Sequence, residues 1–340
     1  MAFEFTPLID EHPDLSGRSV LITGGTGSFG KAFARRLLER CNPERVILLS
    51  RDEQKHHRLM REIGDPRLRY FVGDVRDADR LQRAFTGVDY VVHAAAMKHV
   101  HIAEYNPIEA IRTNVDGAAN IANAAIDRGV ERVVALSTDK AVSPLNLYGA
   151  TKLCMEKLVV ASNAYSGRGG TQFDLVRYGN VVGSAGSVVP VFLQQRDQGR
   201  ITVTDPSMTR FWIGMERAVD LVLLALGDAL GGEIFVPKLP ACTIGTLAEA
   251  VAPNVPVEEV GSRPGEKLHE VMITEDESAQ LVEYETHFVV RPSIANWGLA
   301  PRETGTRPTE RFTYSSDVTH QLDVEETREL LRDFGFLERR

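Results

Sequence analysis

Nowhere in the 340 residues is there a run of about 18 apolar residues, so no hydrophobic membrane span is expected. Cysteine is scarce. Cys41, Cys154 and Cys242 are odd in number and far apart, which fits neither a disulfide framework nor a zinc spacing, and they read as buried thiols in a reducing compartment. The first residues, MAFEFTPLIDEHPDLSG, lack the basic start and apolar stretch of a secretion signal, so the cytoplasm is the expected location. An excess of positive charge is also missing. The net charge of −8 argues against general nucleic-acid binding but leaves room for a local basic pocket around a phosphate. There is no internal repeat and no low-complexity tract. The nine histidines suggest no metal site, and His56-His57 and His99-x-His101 read as helix-surface or loop residues.

What is present is an ordinary globular composition, 43% hydrophobic and 25% charged, in a chain long enough for one large α/β unit or two fused parts. From Arg18 onward, apolar runs alternate with helix-like segments. SVLIT is followed by KAFARRLLER, RVILLS by DEQKHHRLMREI, RYFVGD by DADRLQRAF, DYVVHAAA by PIEAIRTNVDGAANIANAAIDRG, and RVVALST by LYGATKLCMEKLVVASNAYS. FDLVRYGNVVG reads as a sixth strand. Short β-rich runs separated by amphipathic helices predict a doubly wound parallel Rossmann sheet, with ligands beyond the carboxyl ends of its strands. The alternation lapses after about residue 180. Residues 1–180 are therefore expected to form the dinucleotide-binding domain, and 181–340 mainly a smaller mixed α/β substrate lobe with some elements returning to the first. The tail ends in a helix started by Asp323 or a neighbour.

VLITGGTGSFGKAF places Gly24, Gly27 and Gly30 between the first strand and the first helix. Glycines there allow a tight turn and let backbone N–H groups at the helix start approach a pyrophosphate, with Thr26, Ser28 and Phe29 beside them. The second strand ends at Ser50 and Arg51, where the adenosine ribose is read. An arginine at that point suits a 2′-phosphate, so the expected cofactor is NADP. Asp74 and Val75 after the third strand, and Ala94, Ala95 and Ala96 after the fourth, complete the expected cofactor wall.

The stretch LSTDKAVSPLNLYGATK gathers an acid, an amine and a phenol. Tyr148 and Lys152 stand four residues apart on one helix face, after the fifth strand and near the expected nicotinamide. A phenol is a poor base at neutral pH unless its anion is stabilised, and Lys152 with a positive nicotinamide ring would do so.

TGGTGSFG, SRDEQK, GDVRD, AAAMKHV, AEYNPIEAIRTN, LSTDKAVSPLNLYGATK, VRYGNVVGSAGSVVP, MTRFWI and RPGEKLHE together resemble the extended short-chain dehydrogenase/reductase family. Within it they are most similar to the soluble, inverting UDP-N-acetylglucosamine 4,6-dehydratases that begin pseudaminic acid biosynthesis. The resemblance runs from about Val20 to Glu270 and implies a homo-oligomer. It also implies Tyr148 as base for oxidation at carbon 4, Lys140 as base at carbon 5, Asp139 as acid at carbon 6, and Thr138 holding the carbon 4 hydroxyl. Lys140 can act as a base only if its pKa is lowered, by burial or by neighbouring positive charge. Relatives acting on dTDP-glucose carry Asp-Glu where Asp139-Lys140 stands, and retaining, membrane-bound relatives tend to have methionine at the position of Tyr148.

The same resemblance implies cofactor contact at Asn114 and contacts to the UDP-sugar from Lys98, Asn180, Thr204, Arg210, Arg263 and Glu266. In that reading Arg210 and Arg263 meet the diphosphate and Glu266 the ribose. His99 and His101 depart from the glutamine and proline expected there. A 4-epimerase or a retaining dehydratase of the same fold is the nearest alternative, although an epimerase has no use for Asp139-Lys140. An NADP-binding sensor would need none of Tyr148, Lys152 and Asp139.

Overall fold

The computed structural model describes residues 5–167, 169–184, 186–293 and 302–338. Ala185 of VRYGNVVGSAGSVVP and residues 298–301 of the closing segment GLAPRETGTRPTERFTYSS lie outside them. Six strands carry the first half: β1 (Ser19–Thr23), β2 (Arg45–Ser50), β3 (Leu68–Val72), β4 (Tyr90–His93), β5 (Arg132–Thr138) and β6 (Gln172–Tyr178). They are parallel, in the order β6-β5-β4-β1-β2-β3. Every residue of β1 is buried, as are six of the seven of β5, because helices cover both faces of the sheet. This is the doubly wound Rossmann-type α/β fold.

Later segments extend the same sheet. Ile234–Pro237 pairs in parallel with β6, and His287–Val290 and Leu281–Glu283 follow as antiparallel edge strands. EIFVPK thus returns to the main sheet, since all four residues Ile234–Pro237 are buried between its neighbours. A second, smaller core forms beside it from Val189, Phe192, Ile201, Trp212, Leu247, Leu330 and neighbours. The terminal helix Val324–Asp333 packs there, capped by Asp323, whose side chain accepts from Glu326 N while Glu326 answers to Asp323 N.

Arg177, fully buried at the end of β6, joins the two regions. Its guanidinium holds Glu156 Oε2 at 2.6 Å on the helix Leu147–Ser166 and Glu277 Oε1 at 3.0 Å in the later half, and it donates to Met272 O at 2.7 Å. Three local details differ from the sequence expectation. The helix expected over PIEAIRTNVDGAANIANAAIDRG contains a π turn at Arg112–Asp116, and a further helix, Val100–Tyr105, precedes it. His56 is buried rather than exposed, with its ring Nε2 3.2 Å from Ser50 O and its edge against Tyr70. Cys154 is exposed while Cys41 and Cys242 are buried.

Candidate active site

A cavity of about 1080 Å³ opens where the carboxyl ends of β1 to β6 converge. Its floor is the turn after β1. Gly24 has φ +67°, in the left-handed region, and a Cβ there would stand 3.0 Å from the Ala94 carbonyl carbon. A Cβ on Gly30 would stand 2.6 Å from Gly25 Cα, so this glycine lets the helix Ser28–Arg36 start hard against the turn and point its N-terminus into the cavity. Gly27, Ser28, Phe29 and Thr26 line the same floor, with Thr26 Oγ1 2.6 Å from Ser50 Oγ.

The adenosine end is set by the turns after β2 and β3. Asp52 lines the cavity and gives one carboxylate oxygen, Oδ1, to Lys55 N at 3.0 Å, capping the helix Glu53–Ile63. Arg51 extends from the strand end with 65% of its side chain exposed and lies 3.8 Å from Asp74 Oδ2. Val75 and Ala94 to Ala96 form the adjoining wall, followed by Lys98 and His99. Asn114 is not on the cavity surface. The π turn aims it at the chain behind, where it accepts from Met97 N at 2.8 Å and donates to Met97 O and to Thr151 Oγ1, each at 3.0 Å. It therefore clamps the loop after β4 to the helix bearing Tyr148 and Lys152.

That helix, Leu147–Ser166, is started by Asn146, which accepts from Gly149 N at 2.8 Å. Gly149 is required by close approach, since a Cβ there would lie 2.1 Å from Lys140 O. Between them Ser143 has φ +45°, a strained setting for a residue with a side chain. The packing brings Thr138, Lys140, Tyr148 and Lys152 onto one cavity wall. Burial pushes the Tyr148 phenol up to about 12, against the pull of Lys140 and of the Thr138 hydroxyl that faces it. Lys152 donates to Leu136 O at 2.7 Å, and burial lowers it to about 8. His93, buried at the end of β4 with Nδ1 2.8 Å from Thr23 Oγ1, is pushed down to about 3 by burial and by Lys152, so it stays neutral.

Asp139 and Lys140 differ from expectation in two ways. Asp139 is closed off from the cavity, with Oδ1 accepting from Thr138 Oγ1 at 2.8 Å and from Lys140 Nζ at 3.1 Å, so these two groups stand on its cavity side. Lys140 is raised, not lowered. Burial alone would lower it, but Asp139 and Glu270, each 3.1 Å away, outweigh that and hold the ammonium form. Asp139 is raised by burial, which its one cation does not offset. Glu270 is the residue the sequence reading missed. It ends RPGEKLHE, a segment that meets the site only through long-range packing.

The expected substrate residues divide. Lys98 and Asn180 line the cavity, and Asn180 Oδ1 lies 3.4 Å from Lys140 Nζ. Arg210 does not line it; buried on the strand Thr209–Ile213, it donates to Thr209 O and sits 3.9 Å from Glu270. Thr204 turns to Met208, Arg263 is exposed and meets His101 at 3.2 Å, and Glu266 lies in a loop tied to Asn146 through Gly265 O. Ser184, Ser187, Trp212 and Met215, unnamed in the sequence reading, close the far side of the cavity.

The chain is similar to known proteins over nearly all its length. It is 48% identical to the inverting UDP-N-acetylglucosamine 4,6-dehydratase of Campylobacter jejuni, over 93% of this chain and 97% of that one. It is 39% identical to a UDP-glucose 4-epimerase of Rickettsia conorii, over 94% of this chain and 97% of that one. Among solved structures, the dTDP-glucose 4,6-dehydratase DesIV of Streptomyces venezuelae, with NAD bound, superposes with a TM-score of 0.66 at 27% identity, covering 74% of this chain and 86% of that one. The glycine floor and the N-terminus of the helix Ser28–Arg36 fit a nicotinamide dinucleotide. Residues 20–292 match the polysaccharide biosynthesis protein family, and the chain belongs to that family.

Proposed function

We propose that this protein is an inverting UDP-N-acetylglucosamine 4,6-dehydratase that uses NADP as a resident cofactor. The observation that carries the reading is the union of two devices on one wall. Tyr148 and Lys152 suit oxidation and reduction of a hydroxyl, and Lys140 beside them, with Asp139 buried directly behind it, suits removal of water.

A nicotinamide dinucleotide, held by the Gly24–Gly30 floor and the N-terminus of the helix Ser28–Arg36, would supply a reversible hydride acceptor for oxidation at carbon 4 and reduction at carbon 6. Tyr148, once its buried phenol has given up its own proton, takes the proton of the carbon 4 hydroxyl as phenolate, with Thr138 facing it to hold the substrate oxygen. The ketone at carbon 4 acidifies the hydrogen on carbon 5, which Lys140 removes; when carbon 6 is later reduced, carbon 5 takes a solvent-derived proton on its opposite face, which inverts it. The carbon 6 oxygen then leaves as water with a proton from Asp139, passed through the Thr138 and Lys140 groups on its cavity side. The free protein holds Lys140 as an ammonium, so its work as a base requires that proton to leave first. Asn180 and Lys98 are placed for the sugar. Arg210, Arg263 and Glu266 stand outside the cavity, so their assignment to diphosphate and ribose requires the later segments to close on the substrate.

NADP is favoured over NAD because Arg51 at the end of β2 presents a largely exposed guanidinium to a ribose 2′-phosphate, while Asp52 gives one carboxylate oxygen to its helix cap. The reading extends to a cytoplasmic homo-oligomer supplying pseudaminic acid biosynthesis. In support, no helix among the described residues is long and apolar enough to cross a membrane, and Tyr148 stands where retaining, membrane-bound relatives tend to carry methionine.

A 4-epimerase is the second reading, favoured by the Rickettsia relative. It would leave the Asp139-Lys140 pair without a task. Incubation of the purified protein with UDP-N-acetylglucosamine in deuterium oxide, without added cofactor, followed by NMR, separates the two. The expected product is a 4-keto-6-deoxy sugar with deuterium at an inverted carbon 5. A carbon 4 epimer without deuterium would establish the epimerase instead, and unchanged sugar even with NADP added would sink the substrate assignment.

A further inference from the structure

Glu270 has no role in the scheme above, yet it is the most heavily engaged acid near the site. Its side chain is 3% exposed, and three cations face it: Lys140 Nζ at 3.1 Å and Arg210 Nε at 3.9 Å from Oε1, and Lys267 Nζ at 3.8 Å from Oε2. Its backbone is fixed from both sides by Ser316, whose hydroxyl accepts from Glu270 N at 2.9 Å and whose N–H donates to Glu270 O at 2.8 Å. Lys267 is itself held by Val142 O. The carboxylate therefore cannot easily leave.

Asp139 is the opposite case. It meets one cation, shared with Glu270; its Oδ2 and Glu270 Oε2 both find no hydrogen-bond donor among the described residues, but Glu270 Oε2 has the Lys267 ammonium 3.8 Å away. A buried carboxylate oxygen without a donor is costly, whereas a neutral carboxyl group tolerates the same setting. One ammonium cannot neutralise two buried anions, and of the two only Glu270 forms ion pairs with further cations, Arg210 and Lys267. We propose that Glu270 is a positioning residue that takes up the charge of Lys140 and so keeps Asp139 in the protonated form the carbon 6 hydroxyl needs.

The acid role of Asp139 rests on the dehydratase reading; the division of protons between the two carboxyls does not. Burial would raise Glu270, but Lys140, Arg210 and Lys267 outweigh it and hold it low, while burial and the Glu270 charge both raise Asp139. The other groups packed on the pair are the Tyr148 phenol, the Asn180 amide and the Thr138 hydroxyl, none of them charged at neutral pH. With Arg210 and Lys267 behind it, Glu270 stays an anion when Lys140 gives up its proton, so Asp139 is not drawn into its place.

Infrared difference spectroscopy of the purified protein with its cofactor tests the division directly. Wild type is expected to show, at neutral pH, a protonated-carboxyl band that Asp139→Asn removes and that Glu270→Gln also removes, because Asp139 then becomes the counterion of Lys140. In turnover, Glu270→Gln is expected to lower kcat about 100-fold, the scale of a lost general acid, with KM within about threefold of wild type. The alkaline limb of its kcat profile moves to lower pH, and Glu270→Asp restores most of the rate. Buried Asp174, raised to about 7, contributes a protonated-carboxyl band common to all three proteins; if wild type has no further protonated-carboxyl band that Asp139→Asn removes, the proposal is overturned whether or not Glu270→Gln folds. An unmoved alkaline limb, or a loss confined to KM, overturns it equally. If wild type fails to convert UDP-N-acetylglucosamine while the bands behave as expected, the dehydratase reading falls and the proton division stands.

Discussion

The two sides of the cavity are built by different means. The side formed by the ends of β1 to β5 is made from short turns in which neighbours in sequence are neighbours in space: Gly24 to Gly30 in one, Thr138 to Lys152 in another. The opposite side comes from Asn180, Ser184, Gly186, Ser187, Val188, Trp212 and, behind Lys140, Glu270. These lie far apart in the chain. They are brought together by single long-range contacts, such as Arg177 to Glu277, Asn146 to Gly265 O and Ser316 to Glu270. A wall of local turns should fail by distortion in place, and a wall of distant segments by coming loose.

The largest expected effect distorts the local wall. Gly149→Ala puts a methyl group 2.1 Å from Lys140 O, where the backbone cannot give, so the helix carrying Tyr148 and Lys152 must move away from Asp139 and Lys140. A displacement of about 1 Å among reacting groups costs on the order of 100-fold in rate, and overpacking of this kind costs about 1–3 kcal/mol in stability. The measurements are kcat on the nucleotide sugar and the urea midpoint. A variant with wild-type kcat would show that the close approach does not position the site.

The next effect loosens the distant wall. Arg177→Met leaves Glu156 and part of Glu277 buried without their cation, and removing one partner of such a pair costs about 3–5 kcal/mol. Urea unfolding should show that loss, with the segment around Met272 gaining hydrogen exchange before β1 to β5 do. Equal loosening of both regions would erase the distinction between the walls.

That distinction also explains what could be read in advance. The parallel sheet was legible because β1 to β6 are short buried runs, and the glycine floor and the Tyr148–Lys152 face because each lies within one turn or one helix. Glu270 was not legible, because nothing in RPGEKLHE says that its last residue will lie beside Lys140; Ser316 and the Arg177 bridge decide that. The raised pKa of Lys140 was lost with it, since the expectation counted burial and not a second carboxylate. Arg210 is a diphosphate ligand only as the resemblance implies, and the strand Thr209–Ile213 turns it toward Glu270. His56 and the π turn at Arg112–Asp116 likewise depend on packing that spacing does not report.

A smaller effect concerns the pH dependence of the local wall. Lys152 is lowered by burial from 10.5 to about 8. Between those values the unfolded chain binds more protons at this site than the folded one, so this contribution makes stability rise with pH across the window and is most unfavourable below about 8. Its ceiling is about 3 kcal/mol. Lys152→Met should remove that rise between pH 8 and 10.5 while abolishing activity. The slope of unfolding free energy against pH, compared with wild type, is the readout, because Cys41 and Cys242, raised by burial to about 11 and 12, contribute the opposite slope in both proteins.

The smallest effect lies at the edge of the local wall. Arg51 is largely exposed and its pair with Asp74 is 3.8 Å long, so the structure itself gains little from it and its removal should leave stability unchanged. A ribose 2′-phosphate would gain a charge-assisted contact there, and losing one such contact at a solvated site weakens binding by roughly tenfold. Arg51→Ala should therefore weaken NADP by that factor and leave NAD where it was, as titration of the cofactor-free protein with each dinucleotide would show. Equal affinities for the two in wild type would move the cofactor to NAD and leave Arg51 as a surface residue. A loss shared by both would mean that Arg51 acts by holding Asp74 and the turn after β3, a positional task of the kind that otherwise belongs to the distant wall.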